Sequence, residues 1–284
     1  MIPRLLPFSL LFLVACTSYP PKTIRLPAAL SEASGLSIQD SLFFWHNDSG
    51  DGPFLYTTNI AGKVINKDSL PVPASDWEDM AYDGNGHYYL GDFGNNLGQR
   101  KEMAIYRFTP KTRVTEAIYF TYPGQNGEGR NIAGNYDCEA LVHQNYYLHL
   151  FTKDQLFGER RFITYHYRVP DEPGTYVAEL IDSLYLPRRV VTAAALDTVS
   201  DELILTAYSF QKTVGVPNGS ASLITITDYP EGRFLRGKVK RRNLSWLWPT
   251  QFEAVDIFNQ RWLYVVSEAT KLRKQAVAKR KRRR

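Results

Sequence analysis

The chain is poor in cysteine, methionine and histidine, with two, three and five of them among 284 residues. Two cysteines, Cys16 and Cys138, exclude a disulfide-built scaffold. The histidines are scattered, and no pair has the spacing of zinc ligands. Beyond the first 16 residues no apolar run is long enough to span a bilayer. No segment sustains a helical period, so helices are expected to be incidental. A Gly-x-Ser-x-Gly elbow, a Walker loop and a dinucleotide fingerprint are all missing, which removes the chemistries resting on them.

What is present favours strands. Eighteen Tyr and 15 Phe accompany 19 Gly and 16 Pro, a composition of strands and turns. At 44% hydrophobic residues the chain is long enough for one large domain with a core.

Residues 1–16 read as a targeting segment, with Arg4 ahead of an apolar run from Leu5 to Ala15. It ends Leu13-Val14-Ala15-Cys16, which resembles the lipobox of bacterial lipoproteins. That resemblance implies lipidation of Cys16 and export to the bacterial cell envelope, with anchoring in the outer membrane. An ordinary signal peptide is the alternative. Residues 17–22 then form a Pro-rich tether, 23–270 the folded domain, and 271–284 a basic disordered tail.

The net charge of +5 belongs to that tail. Lys271 to Arg284 hold nine Lys or Arg and no acid; the rest has 25 basic against 29 acidic residues, net −4. Anionic surfaces are the expected contact of such a tail on an envelope protein, with nucleic acid disfavoured. A solvated tail with no partner is the competing reading.

Five segments repeat one pattern, a short strand, a turn and a longer apolar strand. They are Glu32–Asp48, Asp76–Asp92, Asp137–Lys153, Thr192–Tyr208 and Gln251–Glu268. Third strands follow at Phe54–Thr58, Met103–Phe108, Phe162–Arg168 and Ser222–Thr227. Fourth strands follow at Ala117–Tyr122, Glu179–Leu186 and Phe234–Arg241. Four strands per unit at a period of roughly 50 residues predict an all-β fold, a single β-propeller of five four-stranded blades. A sixth blade would have to lie in the Gly/Asn-rich stretch between Tyr122 and Asp137, and six is the alternative count. The last unit is short of strands, so Thr23-Ile24-Arg25-Leu26-Pro27 is predicted to close the ring by pairing into it. Closure removes exposed sheet edges.

In this arrangement the first strand of each unit lines the central channel. Glu32, Glu78, Glu139 and Glu253 align there, with Ala194 in the fourth unit. About fourteen residues later come Asp48, Asp92, Lys153, Tyr208 and Glu268. Carboxylates facing one another repel, raising their pKa values or recruiting a cation. A hard cation with oxygen ligands, Ca²⁺ above all, is the economical solution, held by Glu32, Glu78, Glu139 and Glu253. Neither the Asn47–Gly52 loop nor the Asp92–Asn96 loop fits an EF-hand. The competing reading makes the same acids structural, knitting the backbones of neighbouring blades.

Glu78 and Glu139 are the candidate catalytic carboxylates, with Lys153 and Tyr208 as anion stabilisers. His46, Asp48, Asp92 and Glu268 are the candidate ligand contacts. His149 and His166 read as ordinary strand residues. Cys138, flanked by Asp137 and Glu139, should point into the layer between sheets as a buried thiol.

With the cassettes Glu-Ala-Ser-Gly-Leu, His-Asn-Asp-Ser-Gly-Asp, Asp-Trp-Glu-Asp-Met-Ala and Gly-Asp-Phe-Gly-Asn-Asn in view, the chain resembles a group of secreted and lipid-anchored bacterial propellers. More distantly it resembles the phytase-like and SdiA-regulated propeller families. In the propeller phytases channel acids hold Ca²⁺ ions that bind phosphate and activate water. That resemblance points to Glu32, Asp48, Glu78, Asp92, Glu139, Glu253 and Glu268. The six blades of those phytases, the break at Ala194 and the lack of clustered phosphate-binding Lys/Arg are departures. Two functions therefore stand. One is a calcium-dependent hydrolase of esters or phosphoesters. The other is a non-catalytic module binding sugar or protein, with the channel acids purely structural.

Overall fold

A computed structural model describes residues 20–48, 50–125, 136–153, 161–213, 216–245, 252–269 and 274–283, without the side chains of 210–219. It is a five-bladed β-propeller of antiparallel four-stranded sheets. The first blade contains β2 (Ala33–Gln39), β3 (Leu42–Asn47), β4 (Phe54–Asn59) and β5 (Val64–Ser69). The second contains β6 (Trp77–Tyr82), β7 (Tyr88–Asp92), β8 (Met103–Thr109) and β9 (Val114–Thr121). The third contains β10 (Cys138–Gln144), β11 (Tyr147–Thr152), β12 (Ile163–Pro170) and β14 (Glu179–Tyr185). Between its last two strands, β13 (Gly174–Val177) crosses over to pair in parallel with β9 of the second blade. The fourth contains β15 (Val190–Asp197), β16 (Glu202–Thr213), β17 (Val216–Thr227) and β18 (Lys238–Asn243). The fifth contains β19 (Phe252–Ile257), β20 (Trp262–Ser267), β21 (Val277–Arg282) and, from the other end of the chain, β1 (Thr23–Arg25).

Ring closure is thus as the sequence predicts, with Ile24 opposite Ala278 in an antiparallel pair. The strand that receives β1 is a correction. It lies inside the stretch 271–284 read as a disordered tail, so the folded domain runs past 270 to the end of β21. Lys279 and Arg280 pair with Val265 and Tyr264 on one side, and Lys279 with Thr23 on the other. A charge count does not see this, because a strand between two others is held by its backbone ladder and needs only short apolar side chains such as Ala278 to bury. The tether needs the same correction. Tyr264 donates its hydroxyl to Pro21 O at 2.8 Å and Arg280 its N–H to Lys22 O at 3.0 Å, so residues 20–22 lie against the last blade. Cys16 and residues 17–19 lie outside the described residues, as does 126–135, where a sixth blade was weighed. Phe234–Arg236 is a 3₁₀ turn, and the fourth strand of its blade starts only at Lys238.

Apolar side chains fill the layers between blades. Cys138 is buried with Phe93, Tyr122 and Leu150 between the second and third blades, as its flanking acids imply. Inner strands β2, β6, β10, β15 and β19 contact one another around the ring. Ser34 donates to Glu78 O, and Thr192 donates to Phe252 O at 2.6 Å, tying adjacent inner strands.

Candidate functional site

Each inner strand carries one irregularity at one place. The pairing skips Ser34 in β2, Glu78 and Asp79 in β6, Glu139 in β10, Thr192 in β15 and Glu253 in β19. Bulges of this kind re-aim the side chain they carry. The structural series is therefore Ser34, Glu78, Glu139, Thr192 and Glu253. Glu32 and Ala194, aligned with it in sequence, are two residues out of register.

Glu32 belongs to a second series with Asp76 and Asp137, each preceding its inner strand. Their carbonyls accept the N–H of Asp48 at 3.0 Å, Gly94 at 3.2 Å and Lys153 at 2.7 Å. Asp48, Gly94 and Lys153 are thus equivalent, and Asp92 is not one of them. It is buried and faces away, accepting N–H groups of Ser75 (3.3 Å) and Asp76 (3.1 Å) and an ion pair from Arg100 (2.8 Å). Gly94 stands where the other blades have a side chain. A Cβ there would collide with Glu78 Oε1 and the Asp76 carboxylate.

The result is an acid-lined mouth at the N-terminal ends of the inner strands. Ligand atoms of Asp48, Asp76 and Glu78 lie within 4.8 Å of one another. Asp48 and Asp76 share a hydrogen bond, and burial together with the Asp76, Glu253 and Glu32 charges pushes Asp48 up to about 7. Asp48 Oδ1 is buried with no hydrogen-bond partner among the described residues. Burial raises Glu78 well above the carboxylate range, helped by Glu139. Burial and the Glu253, Asp48 and Glu32 charges raise Glu268 to about 8. Asp137 rises to about 6 through burial, opposed by Lys153 and by the Asn95 N–H that it accepts at 2.8 Å. Lys153 sits among these acids, 2.5 Å from Glu139 Oε1 and 5.9 Å from the Tyr208 ring centroid. Burial opposes its charge, but Glu139, Tyr208, Glu253 and Asp137 outweigh burial and keep it protonated.

Knitting of one inner strand to another falls to other acids. Asp79 Oδ2 accepts the N–H of Leu141 at 3.0 Å and of Ala194 at 3.1 Å. Asp256 accepts the Ile38 N–H at 2.6 Å and its neighbour Ile257 at 2.7 Å. Neither was singled out in the sequence, although both lie on inner strands. Asp76 and Asp137 were also missed as acids of the mouth. Their signal was available, since each directly precedes a repeat strand as Glu32 does.

His46 lies outside the mouth. Its ring covers Gly35, meets Trp77 edge-on at 5.4 Å, and is lowered to about 4 by burial. His149 and His166 form a buried chain within the third blade. His149 Nδ1 is 2.8 Å from His166 Nε2, whose Nδ1 is 2.9 Å from Asp182. A separate cavity of about 1150 Å³ opens at the other ends of the inner strands, lined by Gln39, Asp83, His143, Asp197 and Glu231.

No protein-family model and no curated sequence matches the chain. The matches are structural. The exo-β-1,3-galactanase of Phanerochaete chrysosporium, solved with β-1,3-galactotriose, superposes with a TM-score of 0.54 at 11% identity. It covers 91% of this chain, which spans 60% of the galactanase's length. Virginiamycin B lyase from Staphylococcus aureus gives 0.44 at 10% identity, over 91% of this chain and 87% of that one. The designed protein Ika4 gives 0.33 at 10% identity, over 76% and 92%. The chain shares the propeller fold. At these identities the likeness is one of architecture, and no sequence match carries the phytase-like or SdiA-regulated resemblance.

Proposed function

We propose that the mouth binds a divalent cation, Ca²⁺ first, through Asp48, Asp76 and Glu78, and with it an ester or phosphoester that the protein hydrolyses. One observation carries this reading. The three carboxylates come together within 4.8 Å, one of them with a buried oxygen, Asp48 Oδ1, that has no partner among the described residues, while Asp79 and Asp256 bond inner strand to inner strand. Hard oxygen donors with no sulfur or imidazole among them suit calcium. When bound, the cation would polarise a substrate oxygen. Lys153, held charged, would attract the anionic group, with Tyr208 at its side. Glu139, paired with Lys153, and Glu253, whose charge acts on it, are the bases to consider.

A binding module is the second reading, favoured by the Glu139–Lys153 pair, in which the Lys153 charge is already neutralised. The galactanase was solved with a β-1,3-galactotriose, so oligosaccharides join esters in any ligand screen. Lipidation of Cys16 and outer-membrane anchoring complete the proposal, and Cys16→Ser would then release the protein from the membrane fraction.

The deciding experiment is a thermal melt of the whole chain in EDTA, followed by Ca²⁺ titration. A rise in Tm that saturates with Ca²⁺, and that Asp48→Asn and Glu78→Gln remove, supports the site. No shift overturns the cation reading. A shift without turnover of any phosphoester or ester leaves the binding module.

A further inference from the structure

The basic residues of the C-terminal strand meet a second basic strand across the seam between the last two blades. In the fourth blade β18 is the outer edge, and Lys238, Lys240 and Arg242 share one of its faces. Arg242 pairs with Leu223, which packs against Leu263 and Val265 of the fifth blade, so that face looks toward the fifth blade. Leu263 and Val265 pair in turn with Lys281 and Lys279, and Arg25 of β1 lies on the same side. Residues paired across antiparallel strands project from one face. Six basic side chains therefore line one seam. The two strands meet directly, since Arg242 donates to Arg282 O.

Their charge is barely compensated. Lys238 pairs with the exposed Asp228 at 3.0 Å. Among the described residues the other five have no carboxylate within ion-pair distance. Burial lowers Lys281, and the Lys279 and Arg242 charges lower it further. A long run of like charge held on rigid strands costs stability through self-repulsion, and an anionic partner relieves it.

The chain leaves the fold at the outer edge of the same blade, across its sheet from the seam, because Arg280 alternates with Lys279 and Lys281 and projects from the opposite face. Pro20 O accepts from Arg280, and Lys22 O accepts the Arg280 N–H at 3.0 Å. Fifteen residues of mostly apolar sequence ending at Cys16 precede this point by only a few residues. Arg280 pairs with Tyr264, toward the Trp262 end of β20, whereas the acid mouth lies beyond its Ser267 end.

We infer that the seam between the fourth and fifth blades docks on an anionic lipid bilayer, with the N-terminal segment leaving from the edge of the fifth blade and the acid-lined mouth turned away from the membrane. Strand-borne Lys and Arg near a negatively charged leaflet each strengthen association, and one hydrophobic anchor with a basic patch binds where either alone is marginal. The inference is independent of the cation site. It rests on the anchored reading only for the role of Cys16, and the test separates the two.

Full-length protein is partitioned onto phosphatidylcholine vesicles and onto vesicles containing phosphatidylglycerol, at low and high salt. The expected result is a preference of about tenfold or more for the anionic vesicles at low salt, lost at high salt. Neutralising Lys240, Arg242, Lys279 and Lys281 to Gln should abolish the preference, while Lys63→Gln, Lys101→Gln and Lys111→Gln together leave it intact. Melts of both variants identify any loss due to unfolding. Should the seam variant unfold, single changes at the exposed Lys238 and Lys240 must each lower the preference. Cys16→Ser should lower binding to both vesicle types and preserve their ratio. An equal partition of the wild type, or a preference unaffected by the seam changes, overturns the inference. So does displacement from the vesicles by a soluble anionic polysaccharide at equal charge, which would make the seam a polyanion site.

Discussion

Asp79 reaches from the second blade to the fourth, where its Oδ2 accepts the Ala194 N–H at 3.1 Å while also accepting Leu141 of the third blade. The side chain is completely buried, and one oxygen thereby links three inner strands. Its sequence neighbour Glu78, one position along a bulge, faces the mouth and takes part in the acid cluster. Adjacent acids thus have separate roles, and their substitutions should separate too.

Asp79→Ala strands two buried N–H groups, each worth about 1–3 kcal/mol. A loss near 3 kcal/mol in urea or thermal unfolding is expected. Glu78→Gln should change the stability of the cation-free protein by less than about 1 kcal/mol, since burial already favours the uncharged carboxyl and Gln keeps its shape. If Glu78→Gln proves the more damaging, the assignment of knitting to Asp79 is wrong.

The mouth predicts how stability depends on pH. Asp48 ionises near 7 in the fold against 3.8 ordinarily, and Glu268 near 8 against 4.5. The folded state holds these protons longer than the unfolded chain. Their stabilisation is full below the ordinary values and is lost as pH rises toward 7 and 8. The stability of wild type minus that of Asp48→Asn should therefore fall between pH 5 and 7, by about 1–2 kcal/mol after allowance for partial exposure. Saturating Ca²⁺ should reverse that slope, because the ionised carboxylates are the ligands. His46 and His149, lowered to about 4 and 3, act in the opposite sense below pH 6.5. They are common to both chains and cancel in the difference.

Ending the chain at residue 270 removes β21 and leaves β1 without its partner. Such a chain should show no cooperative melt, and one beginning at Ser31 should be markedly less stable than one beginning at Ser18. The last strand can be probed more gently at Arg283, which is buried and pairs with Asp197 at 2.7 Å and with Glu202. Arg283→Ala should cost about 3 kcal/mol at pH 7 by leaving a buried carboxylate unpaired. A wild-type melt for the chain ending at 270 would refute the closure described here.

Gly94→Ala tests the cleft by steric means. The added methyl meets Glu78 Oε1 and Asp76, the ends of side chains that can move aside. A modest loss of stability, about 1–2 kcal/mol, is expected. The Ca²⁺ concentration at half-maximal Tm shift should rise about tenfold or more. An unchanged calcium response would remove Asp76 and Glu78 from the cation site.

Much of this was legible in the chain. The fivefold recurrence of a short strand, a turn and a longer apolar strand announced five blades, and the missing strand of the last unit announced closure by the N-terminus. The acids Glu78, Glu139 and Glu253 were found because they align in the repeat, and the structure puts each at its blade's bulge. Asp92 was misplaced because side chains alternate along a strand. The irregular pairing of β6 with β7 puts Gly94 where Asp92 seemed to align. His46 was drawn toward the site by Asp48 two residues on, but β3 ends at Asn47, and the His46 ring packs over Gly35 against Trp77 while Asp48 turns into the mouth.

By itself the sequence determined the architecture, because blade periodicity is a property of local pattern and each unit must bury its faces against the next. It also determined the acidity of one end of the channel. Only the tertiary structure decided which acids meet, since a bulge shifts register by one residue and a carboxylate's role follows from what lies opposite. The fate of the basic terminus was decided in the same way. Nine charges read as a free tail, but the backbone N–H and C=O groups of β20 and β1 needed a partner between them, and that need placed Lys279 and Lys281 on the face of the propeller.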